Sequence, residues 1–237
     1  MTSLEPLLVL QEHDLTLDRL RHERAVLAER AQLAELHDEL ETLAASHAAQ
    51  RVDRDEVSRQ EQRLADEAQR LSDQIVATER RLYSGEVSSP RELQALQADV
   101  DQLRRHQGSV EDRELAAMEQ REPLDASIAA LDARRSELDG AAARVEEQLR
   151  TREAELDAAL HGEQAQRDTV AAGIDPGFVA DYERRRARAR GVGAARLGGS
   201  TCQGCHLSIP MTEVDRIRRQ PPGTLAYCDN CGCILVP

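Results

Sequence analysis

Two long stretches of this 237-residue chain keep apolar side chains on a heptad rhythm, and few architectures can satisfy that. Stepping alternately three and four residues from Leu93 to Leu156 visits nineteen positions, of which fourteen are apolar. The same stepping from Leu33 to Leu82 visits fifteen, ten of them apolar. A helix with such a stripe hides it against another helix of the same period, so the pattern predicts a coiled coil. Disorder is the competing reading, because 32% of the residues are charged and the chain has one Phe, three Tyr and no Trp. A disordered polyampholyte shares that composition but has no reason to keep a seam.

Between the two runs lies LYSGEVSSPREL, in which Gly85, Ser88, Ser89 and Pro90 are turn and helix-start residues. Ser89 is placed as N-cap, Pro90 as the first helical residue and Glu92 in the first turn. The chain therefore reverses at about 83–90, and the arms from Leu4 to Leu82 and from Pro90 to Val170 form an antiparallel hairpin over 1–172. With Leu82 facing Leu93, Glu61 meets Glu114 and Arg54 meets Arg121 one heptad further on. Like charges repel, so the two layers are expected to cross-pair, mainly to fix alignment. Pro123 removes a helical hydrogen bond beside these layers, which predicts a kinked, wetter zone around Gln50–Arg54 and Arg121–Pro123.

The rhythm stops near residue 171. Gly173, Pro176 and Gly177 mark a boundary, and residues 173–199 read as a neck: a short helical stretch around Phe178, Val179 and Tyr182, then five Arg within Arg184–Arg190. From residue 200 to 237 the character changes again. The spacing Cys202-x2-Cys205-x22-Cys228-x2-Cys231 allows both sulfurs of each knuckle to reach one tetrahedral ion, and four thiolates are a structural zinc shell. Gly204 and Gly232 suit knuckle turns. Thr212 with Asp215 predicts a capped helix around Glu213–Arg219, Pro221–Gly223 a turn, and Leu225–Tyr227 and Ile234–Val236 strands. A segment this short folds on the strength of its metal.

Other readings of the thiols are weaker. Disulfides need an oxidising compartment, and a redox pair needs a βαβ unit that is absent; iron is the residual alternative to one structural Zn2+. A closed four-thiolate shell leaves no position to activate water. Cys233 is spare. It reads as a strand residue or a surface thiol beside the site, with replacement of Cys231 in the shell or service as a reactive thiol as alternatives. His206 reads as a neighbour of the shell, not a ligand.

The formal charge of −13 is unevenly spread. All 31 basic side chains are Arg, and nine of them follow Val170 against six acids. The result is an acidic body with a mildly basic end. The opening MTSLEPLLVLQEHD has neither the flanks nor the length of a signal or a membrane span, so the expectation is cytoplasmic, with no membrane partner.

SSPRELQALQADV (Ser88–Val100), YERRR (Tyr182–Arg186), and CQGCHLSIP with YCDNCG together resemble the bacterial C4-type zinc-ribbon proteins with a long helical hairpin, once grouped as a domain of unknown function. The resemblance covers nearly the whole chain. It implies the same mainly α fold, a long antiparallel coiled-coil hairpin with a small C-terminal C4 zinc ribbon, and metal ligation by Cys202, Cys205, Cys228 and Cys231. Position 233 departs from the family, which commonly has a basic residue there. Family members look like adaptors, for which nucleic acid, an alternative sigma factor and secretion components have been proposed as partners.

Two functions follow as expectations. In the first, a non-enzymatic adaptor meets nucleic acid or its machinery through Arg184, Arg185, Arg186, Arg188, Arg190, Arg196, Arg216, Arg218 and Arg219; the competing structural reading pairs these arginines with the acidic arms. In the second, a protein-binding or chaperone-like scaffold uses the hairpin tip, Tyr83, Pro90, Arg91 and Glu92, and the arms, because a loop at the end of a rigid arm reaches a partner. Whether rods pair into dimers is open. An enzyme is not expected, since no phosphate-cradling loop or nucleophile constellation is present and a two-helix arm has no ordinary pocket.

Overall fold

The architecture was analysed in a computed structural model, which describes residues 4–189, 191–221 and 223–237. The chain is mainly helical: α1 (Glu5–Ala25), α2 (Ala28–Tyr83), α3 (Pro90–Ala172), α4 (Pro176–Arg188) and α5 (Met211–Arg218) accompany β1 (Ala194–Gly198), β2 (Thr201–Cys202), β3 (Ala226–Tyr227) and β4 (Ile234–Val236). No helix among the described residues is long and apolar enough to cross a membrane. It divides into two compact units, one of Met1–Ala31 with Glu146–Pro237, the other of Gln32–Val145.

In the Gln32–Val145 unit, α2 and α3 pair antiparallel along the seam. Leu64, Ala68 and Leu71 pack with Val110 and Ala117, flanked by Val57 and Leu103, as alternate three- and four-residue steps on two helices require. The reversal is as the turn chemistry predicts. α3 starts at Pro90, and the amides of Glu92 and Leu93 both donate to Ser89 O.

Glu61 takes a guanidinium from the other helix, Arg121 Nη1 at 2.7 Å, in the expected cross-pairing. Arg54 does not turn to Glu114. It donates to Asp125 Oδ1 at 2.9 Å and to its neighbour Asp55 at 3.0 Å, because Asp125 lies within reach and Arg121 already satisfies Glu61. α3 stays helical through Pro123, so the missing donor costs one rung of the ladder and does not end the helix. No described residue from 118 to 137 of α3 is buried, and the same holds for 28–63 of α2.

The other unit is built where α1 runs beside the end of α3. Arg24 grips Asp157 through two bonds, Nε at 2.6 Å and Nη2 at 3.1 Å, and His13 Nδ1 meets Glu163 at 2.7 Å. Leu7, Leu10, Asp14 and Leu17 are the buried steps of α1. Continued, that rhythm reaches residues 24 and 28, whereas the α2 rhythm, run backwards from Leu33, reaches 29 and 26. The helix breaks between Ala25 and Ala28, and Leu27 turns inward at 8% exposure while Val26 stays out at 59%. The expected continuous first arm is thus two helices, and the break absorbs a change of phase.

α4 is a full helix that includes most of the arginine run. Asp175 caps it by accepting from the Gly177 amide at 2.8 Å, with Pro176 at its start. The four strands form one sheet in the order β2-β1-β4-β3, with β1 parallel to β4 and antiparallel to β2, and β3 antiparallel to β4. β1 is therefore central, although the sequence assigned it to the neck, because Ala-Ala-Arg-Leu-Gly lacks the β-branched residues that flag a strand. α5 starts at Met211 behind Pro210, whose carbonyl accepts from Glu213 and Val214. The expected Thr212–Asp215 capping box does not start it, since Pro210 already presets the backbone for entry.

Candidate metal centre

Each cysteine pair is delivered by backbone geometry. Cys202 lies on β2, opposite Leu197, and the His206 amide donates to Cys202 O at 2.8 Å, closing the first knuckle with His206 itself at a φ of 60°. Cys228 follows β3, and Gly232 N donates to Cys228 O at 2.7 Å, while Cys228 N donates to Cys233 O at 3.0 Å. Gly232 has a φ of +78°, where a side chain would be strained.

The sulfurs of Cys202, Cys205, Cys228 and Cys231 all lie within 4.8 Å of one another, and no cysteine is in a disulfide. A tetrahedral ion with Zn–S bonds of 2.3 Å sets sulfurs about 3.8 Å apart. Cys205 and Cys228 stand at 3.8 Å and Cys202 and Cys231 at 4.0 Å, so the donor set fits one zinc ion. Bound there, the ion joins β2 and the turn that follows it to the β3–β4 turn. Cys202 and Cys228 are buried, and Cys205 and Cys231 are partly so.

Burial pushes the Cys231 thiol up to about 12, and it raises Cys233 as well. Metal must therefore displace protons to gain thiolates, and the sign follows: binding strengthens as pH rises and weakens as it falls. Zinc occupancy titrated against a chromophoric chelator is expected to lose at least about tenfold in affinity per pH unit between about pH 7 and 5. A flat profile over that range would contradict a thiolate shell.

Cys233 is neither a strand residue nor a surface thiol. It precedes β4 and is fully buried, with its Sγ 3.6 Å from that of Cys202 and 3.4 Å from that of Cys231.

The arginines expected at a nucleic-acid surface are scattered in role. Arg185 donates to Asp181 at 2.9 Å and to Gly232 O at 2.8 Å, and its guanidinium lies 3.5 Å from the centre of the Tyr227 ring. It thus braces the second knuckle against α4. Burial raises the Asp181 carboxyl, but hydrogen bonds from Arg185 and Tyr227 outweigh it and hold the group below the usual range. Arg184 shares Asp181. Arg186 pairs with Asp18 and Asp14, Arg196 with Glu5, and Arg216 with Glu213. Arg218 donates to Gly199 O at 3.2 Å. Arg188 and Arg219 are exposed, with no carboxylate partner among the described residues. Arg190 lies outside the described residues.

Sequence reasoning missed the polar knot under the sheet. Gln11 Nε2 donates to Gly191 O at 2.9 Å, and its Oε1 accepts from Gly193 N at 2.6 Å and Ala194 N at 3.2 Å. Tyr182 OH donates to Asp14 at 2.7 Å. Burial, then this bond and the Asp14 charge, raise the Tyr182 hydroxyl. Gly193 lies so close to the Tyr182 ring that a Cβ there would stand 2.6 Å from it. Leu4, Leu7, Leu10, Ala194, Ile234 and Val236 surround Tyr182, with Phe178 packed against them. The available signal was a Gln and an Asp on the apolar stripe of α1.

A four-stranded ribbon with a four-cysteine metal site, in one chain with a coiled-coil hairpin, defines a class, the C4 zinc-ribbon hairpin proteins. Residues 10–190 match the CT398-like coiled coil hairpin domain and residues 201–235 the C4-type zinc ribbon domain, and the chain belongs to that CT398-like family. It is 32% identical over 234 residues to the protein Rv2229c of Mycobacterium tuberculosis, spanning 97% of this chain and 93% of the relative. A solved structure from Mycobacterium smegmatis superposes with a TM-score of 0.79 at 28% identity, covering 100% of both chains. That of CT398 from Chlamydia trachomatis shares the fold at a TM-score of 0.65 and 19% identity, over 98% of this chain and 95% of the other.

Proposed function

We propose that the chain is a non-catalytic, cytoplasmic adaptor that docks a protein at the tip of its hairpin. The observation that carries this is Tyr83, which closes α2 with 78% of its surface exposed. Only four aromatic side chains exist in the chain, and Phe178, Tyr182 and Tyr227 are all buried or partly buried. An exposed Tyr beside Pro90, Arg91 and Glu92, all exposed as well, has the make-up of an interface anchor: large, stiff and amphipathic. Free thiols at the zinc site suit a reducing compartment.

The nucleic-acid reading draws support from the exposed Arg184, Arg188, Arg216, Arg218 and Arg219, but carboxylates neutralise Arg184, Arg186, Arg196 and Arg216. A photo-crosslinker placed at Glu86 in the full-length protein in cells separates the two. Discrete protein adducts are expected there, reduced about 5- to 30-fold by Tyr83→Ala, the span of an interface anchor worth about 1–2 kcal/mol. The same crosslinker at the exposed Arg150 should give none. No adduct at the tip, together with salt-sensitive RNA binding lost in an Arg188→Glu, Arg219→Glu variant, would overturn the protein-docking reading.

A further inference from the structure

We propose that Cys233 is an alternate zinc ligand, able to take the coordination position of Cys231, so that the centre has five thiols for four places. Three observations place it. Its side chain is fully buried in an otherwise apolar cluster, and it points at other sulfurs. Its Sγ is 3.6 Å from Cys202 Sγ, as near to the tetrahedral edge of about 3.8 Å as the 4.0 Å between Cys202 and Cys231. And it lies 3.4 Å from Cys231 Sγ, too close for both to be comfortable neighbours at one tetrahedral ion, yet close enough for one to move into the place of the other.

The backbone explains why two alternate residues of a knuckle converge. Cys228 N donates to Cys233 O while Gly232 N donates to Cys228 O, which wraps the loop around Cys228. Gly232 at a φ of +78° turns the chain between them, and residues 231 and 233 both approach the sulfur of Cys202. Cys231 is the more exposed of the two and Cys233 the more deeply set. Exchange therefore swaps a partly solvated ligand for a buried one and leaves Cys202, Cys205 and Cys228 in place. The consequence is a centre that keeps its ion when Cys231 is alkylated or oxidised from outside.

The test uses full-length protein with Co2+ as the probe, because charge-transfer absorbance per bound cobalt scales with the number of thiolates. Wild type, Cys233→Ser and Cys231→Ser are each expected to give a four-thiolate intensity, and Cys231→Ser, Cys233→Ser to fall by about a quarter, in line with one lost ligand of the four. Cys205→Ser serves as the reference for a true three-thiolate spectrum. Zinc competition supplies a second readout that does not depend on the spectrum. Cys231→Ser is expected to weaken binding no more than about tenfold, at the mild end of losses seen for changes around a metal shell, and the double variant to lose at least another tenfold. A Cys231→Ser protein that already shows the reduced intensity, binds as weakly as the double variant, or fails to hold metal at all would overturn the assignment.

Discussion

Stripping the metal from the intact protein is expected to dismantle the sheet and to leave most of the helix in place. The segment from β1 to the C-terminus is about the length below which a chain rarely buries enough surface to hold itself together. Its own apolar cluster is small, namely Ala195, Leu197, Ile209, Val214, Ile217, Ala226 and Leu235 around the cysteines. A structural zinc supplies about 10–16 kcal/mol of apparent binding free energy, which for such a segment is folding free energy. Amide exchange should show β1 and β4 losing protection on chelation, while the Gln32–Val145 unit, whose Leu64–Ala117 seam contains no metal ligand, keeps its own. Because Ile234, Val236 and Ala194 share a core with Leu4, Leu7 and Leu10, protection should also fall at the start of α1. A Cys202→Ser, Cys228→Ser protein should behave in the same way. Unchanged protection at Ile234–Val236 after chelation would remove the metal from the account of the fold.

Asp14→Ala should be the most damaging single change outside the ribbon. Asp14 is 3% exposed and sits between two guanidinium groups and a phenol: Arg167 Nε at 3.2 Å, Arg186 Nε at 3.6 Å and Tyr182 OH at 2.7 Å. Removing it takes one carboxylate from each guanidinium, with Arg186 keeping Asp18 and Arg167 keeping Glu183, and deprives the buried Tyr182 hydroxyl of its nearest acceptor; about 3 kcal/mol is expected, the lower end of the cost of breaking a buried pair from one side. Tyr182→Phe deletes one hydrogen bond and leaves both charges satisfied, so about 1–2 kcal/mol is expected. Glu39→Ala, which removes an exposed partner of Arg134, should cost no more than about 1 kcal/mol. Denaturant midpoints at constant m-value rank the three, and an Asp14→Ala protein as stable as Glu39→Ala would show that the knot contributes nothing to stability.

The seam, the reversal at Ser84–Ser89 and the four-cysteine site could be read from the chain before any coordinates, for a common reason. A heptad repeat, a Ser-Pro helix start and a Cys-x2-Cys knuckle are each set by neighbours a few residues away, and local geometry decides what they become. What the chain left unread was set in large part by choices made over long distances. Arg186 and Arg196 read as candidate phosphate contacts in a basic run, and their pairing with Asp18 and Glu5 of α1, 168 and 191 residues away in sequence, is visible only in the fold. β1 looks like linker because its sequence is small and plain, and only the partnership with β4 makes it the centre of a sheet. The break at Val26–Leu27 was legible in principle, as a slip of one to two residues between two apolar rhythms, but nothing in Ala-Val-Leu-Ala announces it.

The amino-acid order alone thus determined the helical hairpin, its point of return and the identity of the thiols that meet, because periodicity and ligand spacing act within a turn or two of backbone. Tertiary structure decided which charges are used up inside, that Gln11 and Asp14 anchor the sheet, that Arg185 braces a metal knuckle and that a fifth sulfur faces the site. Those outcomes depend on burial and on competition among many possible partners, and side chains gain or lose their partners only when distant segments pack.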